Sequence, residues 1–442
     1  MSISSPVVDD VPTEQWPPLR TAIASPRSRA NLTAPAAPCT QPTRSTAAGT
    51  GSASRAMNGL ARTRSNRLSP GSTSSPQSFR AFHSTVAVSP APVSEICHPA
   101  FTMDTGAVRD LTALPKAHLH VHLESTVRWS TLHDIGDANG VPVPEHLAAG
   151  SVFDGFRSFG DANALIRDCL RTPDDFHRIA LEFCADEAAQ GTAYAEVSFS
   201  ASSHGDRLGD LAMPLEAVLA GLAEGAAYGI ECRVLLDHSR RRIERGPRTL
   251  DLALRYADQG VIGIGLAGDE SYPLAPFKDV LDRAAGAGLH LVHHAGEAGG
   301  PESIREALST GRAGRIGHGI RILDDPGLVG EIQVPLEVCP TSNVALGLVP
   351  SYADHPLPSL LAAGLAVTIN TDIPNVVGNL TLTDELTRVR DTFGLDDSAL
   401  ASLNHTAIDA SFAPPATKSR LHTATTTWLT ANGCATSATL AR

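Results

Sequence analysis

Cysteine is scarce in this chain: seven in 442 residues, with no C-x-x-C pair among them. A disulfide scaffold and a zinc ribbon both need more thiols at closer spacing, so neither organises it. No run of eighteen apolar residues occurs, which excludes a hydrophobic membrane-spanning helix. Positive charge is in deficit, with 35 Lys and Arg against 47 Asp and Glu and a net charge of −12. A field of that sign repels a nucleic-acid backbone. A phosphate-cradling G-x-x-x-x-G-K-S/T loop is missing. One G-x-G-x-x-G is present, at Gly263, Gly265 and Gly268, but it lies inside an apolar run. It therefore lacks the helix N-terminus on which a dinucleotide would sit. What is there is 42% hydrophobic, enough to bury a real core. The expectation is a soluble, cytoplasmic protein whose partners are small molecules, with no membrane and no nucleic acid. The sequence leaves its oligomeric state open.

The first hundred residues are a different material. Residues 1–102 hold 17 Ser, 11 Thr and 13 Pro, and 9 Arg against 4 acids. No apolar period of 2 or 3.6 runs through them, so they are expected to be disordered. Ser and Arg enrichment suits a transit peptide, whereas Asp9, Asp10 and Glu14 at the front do not; a non-functional extension ahead of Met103 is the plainer reading. Residues 103–421 are expected to form the working domain, and the Thr/Ala-rich residues 422–442 a tail.

From Leu114 onward short apolar runs alternate with helix-like stretches. Strands are predicted near Lys116–His122, Ala193–Ser200, Cys232–His238, Val261–Ala267, His290–His294, Arg315–His318, Val334–Cys339 and Ala366–Thr371. Between them several helical segments start at or near Pro and end at Gly191, Gly260, Gly311 or Gly364, in keeping with the terminal preferences of these residues. Eight strand–helix repeats with near-continuous apolar strands predict an α/β fold, a parallel (β/α)₈ TIM barrel. The longest gap, between the first two strands, predicts a helical insertion that includes Phe153–Thr172 and could cover the barrel mouth.

Such a barrel carries its chemistry at the C-terminal ends of its strands. The first run ends in His120-Val121-His122, and residues two apart on a strand face the same way. Two imidazoles side by side suit a metal; a pair of hydrogen-bonded core histidines is the plainer alternative. The fifth run ends in His293-His294-Ala295-Gly296-Glu297, the sixth in Gly317-His318-Gly319, the eighth in Asn370-Thr371-Asp372. Four strands delivering His or Asp to one face point jointly to a metal site. His118, two residues deeper than His120, and His293, out of phase with His294, read as structural. Glu302 reads as a charge in a helix first turn. The run His238–Arg242, HSRRR, reads as a solvated loop end.

The runs LPKAHLHVHLE, GIGLAGDE, HAGEAGGPESIREAL, RIGHGIRILDDP, LEVCPTSN and VTINTDIP resemble, in order, those of the adenosine deaminase family of metal-dependent amidohydrolases, over roughly residues 112–415. The resemblance implies one catalytic Zn²⁺ per chain, held by His120, His122, His294 and Asp372, and hydrolysis of the 6-amino group of a purine. Zinc accepts nitrogen and oxygen donors of this kind and lowers the pKa of a bound water to roughly 7. The resemblance further implies that His318 lies beside the attacking water, that Glu297 gives a proton to ring N1, and that Asp372 can take the water's proton and pass it to the departing ammonia. Gly268 would offer its N–H to ring N3, and His122 would also border the substrate. Adenosine is the expected substrate, with adenine or a 5′-modified adenine nucleoside as the alternative.

Two departures touch the substrate. Many family members have a second aspartate after the strand-eight ligand, which binds ring N7; here it is Ile373, which cannot. Many adenosine-specific members have Asp-Gly after H-x-H-Leu; here it is Glu124-Ser125, a longer carboxylate where the ribose 5′ end would lie. The other zinc deaminase class, built on H-x-E and P-C-x-x-C, finds no match. A catalytically dead relative would have lost ligands that are all present.

Overall fold

The computed structural model describes residues 108–145, 155–378 and 380–431, with the side chains of residues 155–159 left aside. Residues 1–102, expected to be disordered, lie outside the described residues. Among the described residues no helix is long and apolar enough to cross a membrane.

Eight strands pair in parallel in strict chain order: β1 (Lys116–His122), β2 (Thr192–Phe199), β3 (Glu231–Ser239), β4 (Val261–Ala267), β5 (His290–Ala295), β6 (Arg315–His318), β7 (Leu336–Val338) and β8 (Val367–Ile369). Parallel strands covered on both faces must be apolar almost throughout. β1, for example, is buried along its whole length but for its last residue. Helices stand between successive strands, as the (β/α)₈ pattern requires. Three occupy the gap between β1 and β2: Trp129–Asn139, Gly155–Cys169 and Pro173–Ala189. The last is closed at its start by a reciprocal Thr172–Asp175 capping box.

The ring closes between β8 and β1 by an unusual route. Asn370 Oδ1 accepts from the Leu119 and His120 N–H groups at 2.9 and 3.1 Å. Two residues on, Asp372 N–H donates to His120 O at 3.0 Å and Asp372 O accepts from His122 N–H at 2.9 Å. His118 adds a third tie. Its Nε2 accepts from Thr371 N–H at 3.3 Å while its Nδ1 faces Glu187 at 3.1 Å, so it is structural, as its depth in the strand implied.

The last helix corrects the expected boundary at residue 422. It runs Pro415–Thr430 and buries Thr417, Leu421, Thr425 and Trp428. The Trp428 indole N–H donates to Asp110 O at 2.9 Å, joining the two ends of the described domain.

Candidate metal centre and active site

β1 ends with both imidazoles turned to the same side. His120 Nε2 and His122 Nε2 lie 3.5 and 3.4 Å from Asp372 Oδ1. The His294 ring centroid is 4.7 Å from that of His120 and 5.2 Å from that of His122. His318 completes the cluster, 4.8 Å from His294. Donor atoms of His120, His122 and Asp372, of His120, His294 and His318, and of Glu297, His318 and Asp372 each lie close enough together to share one ion. Thus strands β1, β5 and β6 and the turn after β8 bring together every residue expected to bind metal or to act on protons. Gly317 makes room for them: a Cβ there would sit 2.9 Å from His120 Cε1 and 3.2 Å from His294 Cδ2.

The donor set fits a metal on geometry as well as chemistry. Bonds of about 2.0–2.2 Å in a tetrahedron set neighbouring donors roughly 3.3–3.6 Å apart, the spacing seen between Asp372 and both β1 histidines. His120 Nε2 is buried with no hydrogen-bond partner among the described residues, a state that is costly unless something else satisfies the atom. The outer ring nitrogens are held by carboxylates: His120 Nδ1 is 2.8 Å from Glu337 Oε2, and His122 Nδ1 is 3.0 Å from Asp237 Oδ2. That arrangement leaves the Nε2 lone pairs facing inward and makes them better donors. Asp237 is held in turn by the Ser200 hydroxyl at 2.6 Å, and Asp372 Oδ2 by the Ser342 hydroxyl at 2.5 Å.

Charge at the site is unbalanced in favour of a cation. Burial opposes a charged His120, but the Asp372 and Glu337 carboxylates outweigh it and raise its pKa to about 10. Burial likewise opposes an ionised Asp372, yet its imidazole neighbours, His120 foremost, hold it well below the usual carboxylate range. Glu297 goes the other way: burial, then the Asp372 and Glu270 carboxylates, push it well above that range. Two carboxyl groups in one site with pKa values driven apart are the pattern found where one serves as acid and the other as base. Glu297 is also fixed in place, because Glu270 accepts from the Gly296, Glu297 and Ala298 N–H groups at 2.7, 2.8 and 3.0 Å.

Two residues of the cluster have backbones that only the surrounding fold can impose. His318 has φ +67° and Asp372 φ +62°, a region that side chains other than glycine's enter at a cost of about 1–3 kcal/mol. Gly268 has φ +86°. A Cβ there would meet only Ser239 Oγ, at 3.4 Å, so the backbone angle is what demands glycine. Glu124 is buried, and its Oε1 already accepts from Ser200 N–H and faces His204 Nε2, both at 3.1 Å. Ile373 is 2% exposed and belongs to the main hydrophobic core.

Sequence reasoning missed the residues that hold the site. Asp237 lies two residues before the end of β3 and was open to the same strand-end rule. Glu270, Glu337 and Ser342 lie within the quoted runs without a role. Arg240 corrects the reading of HSRRR as solvated: it is 1% exposed, and its guanidinium donates to His294 O and to Tyr272 O. Glu302 is exposed in a helix first turn, and His293 bridges Leu266 N–H and Gly311 O, as expected of both.

The sequence pattern of the family described as Adenosine deaminase matches residues 115–428. The chain belongs to the adenosine deaminase family. It is 36% identical over 326 residues to the adenine deaminase of Rhodospirillum rubrum, covering 71% of this chain and 96% of that one. To the adenosine deaminase of Mycobacteroides abscessus it is 34% identical over 337 residues, 69% of this chain and 92% of that one. Among solved structures, an amidohydrolase from Burkholderia ambifaria with bound Zn superposes with a TM-score of 0.65 at 25% identity, covering 72% of this chain and 90% of the other. Membership makes this protein a deaminase of the metal-dependent amidohydrolases; the two relatives just named act on adenine and on adenosine.

Proposed function

We propose that the protein is a zinc-dependent aminohydrolase converting adenosine to inosine and ammonia. The reading is supported by the clustering of His120 with His122 and Asp372, of His120 with His294 and His318, and of the Glu297 carboxyl with His318 and Asp372. Zinc held there supplies Lewis acidity and, at neutral pH, a nucleophile from water. The chain's own residues do the rest. Glu297, whose carboxyl burial and neighbouring carboxylates push towards its protonated form, gives its proton to ring N1 and so makes C6 electrophilic. Asp372, ionised, takes one proton of the attacking water and hands it to the amino group, and the water's second proton restores Glu297 as C6 becomes a carbonyl. The C6–N bond then breaks and ammonia leaves. His318 orients the water from the remaining side, and Gly268 N–H meets ring N3.

Deamination of adenine is the second reading. It is favoured by Glu124, whose Oε1 is already engaged by the chain's own Ser200 and His204 where a ribose 5′ end would need it. Ammonia release from adenosine, adenine and 5′-modified adenine nucleosides, with metal analysis of the same sample, tests both. We expect about one zinc per chain from the ligand count and the highest kcat/KM for adenosine. Full activity after complete metal removal would overturn the proposal, and a preference for adenine would select the second reading.

Ring N7 is expected to be read weakly, because Ile373 offers it no hydrogen bond. A site that binds N7 through a buried carboxyl loses about 1–3 kcal/mol when the nitrogen becomes C–H, roughly 5–150-fold in kcat/KM. Here 7-deazaadenosine should fall within about fivefold of adenosine, below that range. Rejection by about a hundredfold would assign N7 to another residue.

A further inference from the structure

We propose that His355, which touches no reacting group, is a positioning residue that determines which nitrogen of His318 carries the proton, acting through Asn343. The proposal rests on the deaminase reading for its functional meaning, but its geometry stands alone. Leu357 N–H donates to His355 Nδ1 at 3.1 Å. It belongs to the first turn of the helix Leu357–Ala362, where backbone N–H groups have no partner inside the helix. A backbone N–H can only donate. His355 Nδ1 must therefore present its lone pair, and the neutral ring carries its hydrogen on Nε2.

That Nε2 lies 3.2 Å from Asn343 Oδ1, so it donates, and the orientation of the Asn343 amide is fixed. Its NH₂ then faces His318 Nδ1 at 3.3 Å. An amide NH₂ has no lone pair to offer, so His318 Nδ1 accepts and the hydrogen of His318 sits on Nε2. All three side chains are buried, His355 at 3% exposure and Asn343 and His318 at 0%. Burial draws the His355 imidazole down to about 4, so that ring stays neutral near neutrality and keeps the direction of its hydrogen bonds.

The consequence lies at the far end. His318 Nε2 has no hydrogen-bond partner among the described residues and stands 3.7 Å from Glu297 Oε1, on the side where the donors converge. It therefore offers the attacking water an N–H, which holds the oxygen and favours negative charge developing on it. It does not offer a lone pair, and the water's proton goes to Asp372 instead. A residue 37 positions away along the chain thus settles which of two groups is the base.

The test is histidine ring ¹⁵N spectroscopy on the full-length, metal-loaded protein, with His318 assigned by its loss in His318→Gln. The expected result is a protonated Nε2 and an unprotonated Nδ1. Asn343→Asp, which has nearly the same volume, puts an acceptor against His318 Nδ1. It should move the proton to that atom and lower kcat by up to about 10⁴-fold, the scale on which a wrong tautomer acts, with KM little changed. His355→Leu should give mixed tautomers at His318 and lose about tenfold or more in kcat, within the cost of altering an outer partner. His355→Gln, which can still donate to Asn343 Oδ1, should restore both. A wild-type His318 protonated on Nδ1 overturns the proposal, as does a His355→Leu protein with unchanged tautomer and kcat. If His355→Leu does not fold, Asn343→Asp decides. The spectra are readable in a protein that deaminates nothing, so failure here is separable from failure of the proposed function.

Discussion

Glu297→Gln is expected to keep its metal and lose roughly 10²–10⁴-fold in kcat, the usual scale of a general acid. Glu297 is 8% exposed, and burial with two neighbouring carboxylates raises its pKa and favours its protonated form. Glutamine fills the same volume and still donates a hydrogen bond, but it has no proton to give to ring N1. The loop should not move, because its anchor is the grip of Glu270 on three backbone N–H groups, Glu297's own included. The sign with pH follows from the direction of the shift. The wild-type rate should fall as pH rises through the raised pKa of Glu297, and the mutant's small residual rate should lack that limb. Steady-state kinetics against pH and metal analysis check this. A mutant that loses its metal would make Glu297 a ligand and overturn the role.

Arg315→Met is expected to cost about 3–5 kcal/mol of stability, the scale for breaking a buried ion pair from one side. Arg315 is fully buried. Its guanidinium donates to Glu337 Oε1, to Glu196 Oε2 and to Ala410 O, and lies 3.8 Å from the centre of the Phe412 ring. Methionine replaces the volume and leaves two carboxylates without a counter-charge. One of them, Glu337, is the group that holds His120 Nδ1. The loss should therefore reach the metal, with affinity falling about 10–100-fold, as altered outer partners of metal ligands typically cause. Urea unfolding with an unchanged slope and a lower midpoint would report the first effect, and chelator competition the second. A stability loss below about 1 kcal/mol, the range of exposed pairs, would mean that the cluster is solvated.

The outline of the barrel was legible because strands buried on both faces leave an unmistakable mark. The expected bounds of β1, β4 and β6 coincide with those found. β7 and β8 are shorter than expected, for local reasons. Pro340 opens a helix immediately after β7, and Asp372 turns into the left-handed region just past β8. The helix ending at Thr430 was missed because threonine is a poor helix former and its buried stripe is only Thr417, Leu421, Thr425 and Trp428, half of it threonine. The clustered histidines and Asp372 could be picked out since strand ends and period-two alternation are local. Their supports could not, because those contacts are made far along the chain: His120 meets Glu337 across 217 positions and Arg315 meets Glu196 across 119. Arg240 shows the same limit, since nothing in a run of three arginines says that the first folds back under β5.

The seam between β8 and β1 has a consequence for how the protein comes alive after synthesis. It joins residues some 250 positions apart, and contacts of such separation pay their loop-closure entropy before any gain. The ring should therefore close late, with most of the sheet already standing. The same few residues that lock it, from Asn370 to Asp372, place the carboxylate opposite His120 and His122. A refolding molecule will thus show nearly complete secondary structure while still inert, and the return of turnover will lag behind the return of the circular dichroism signal. The lag measures one event, the docking of the first strand's imidazoles against the last strand's turn.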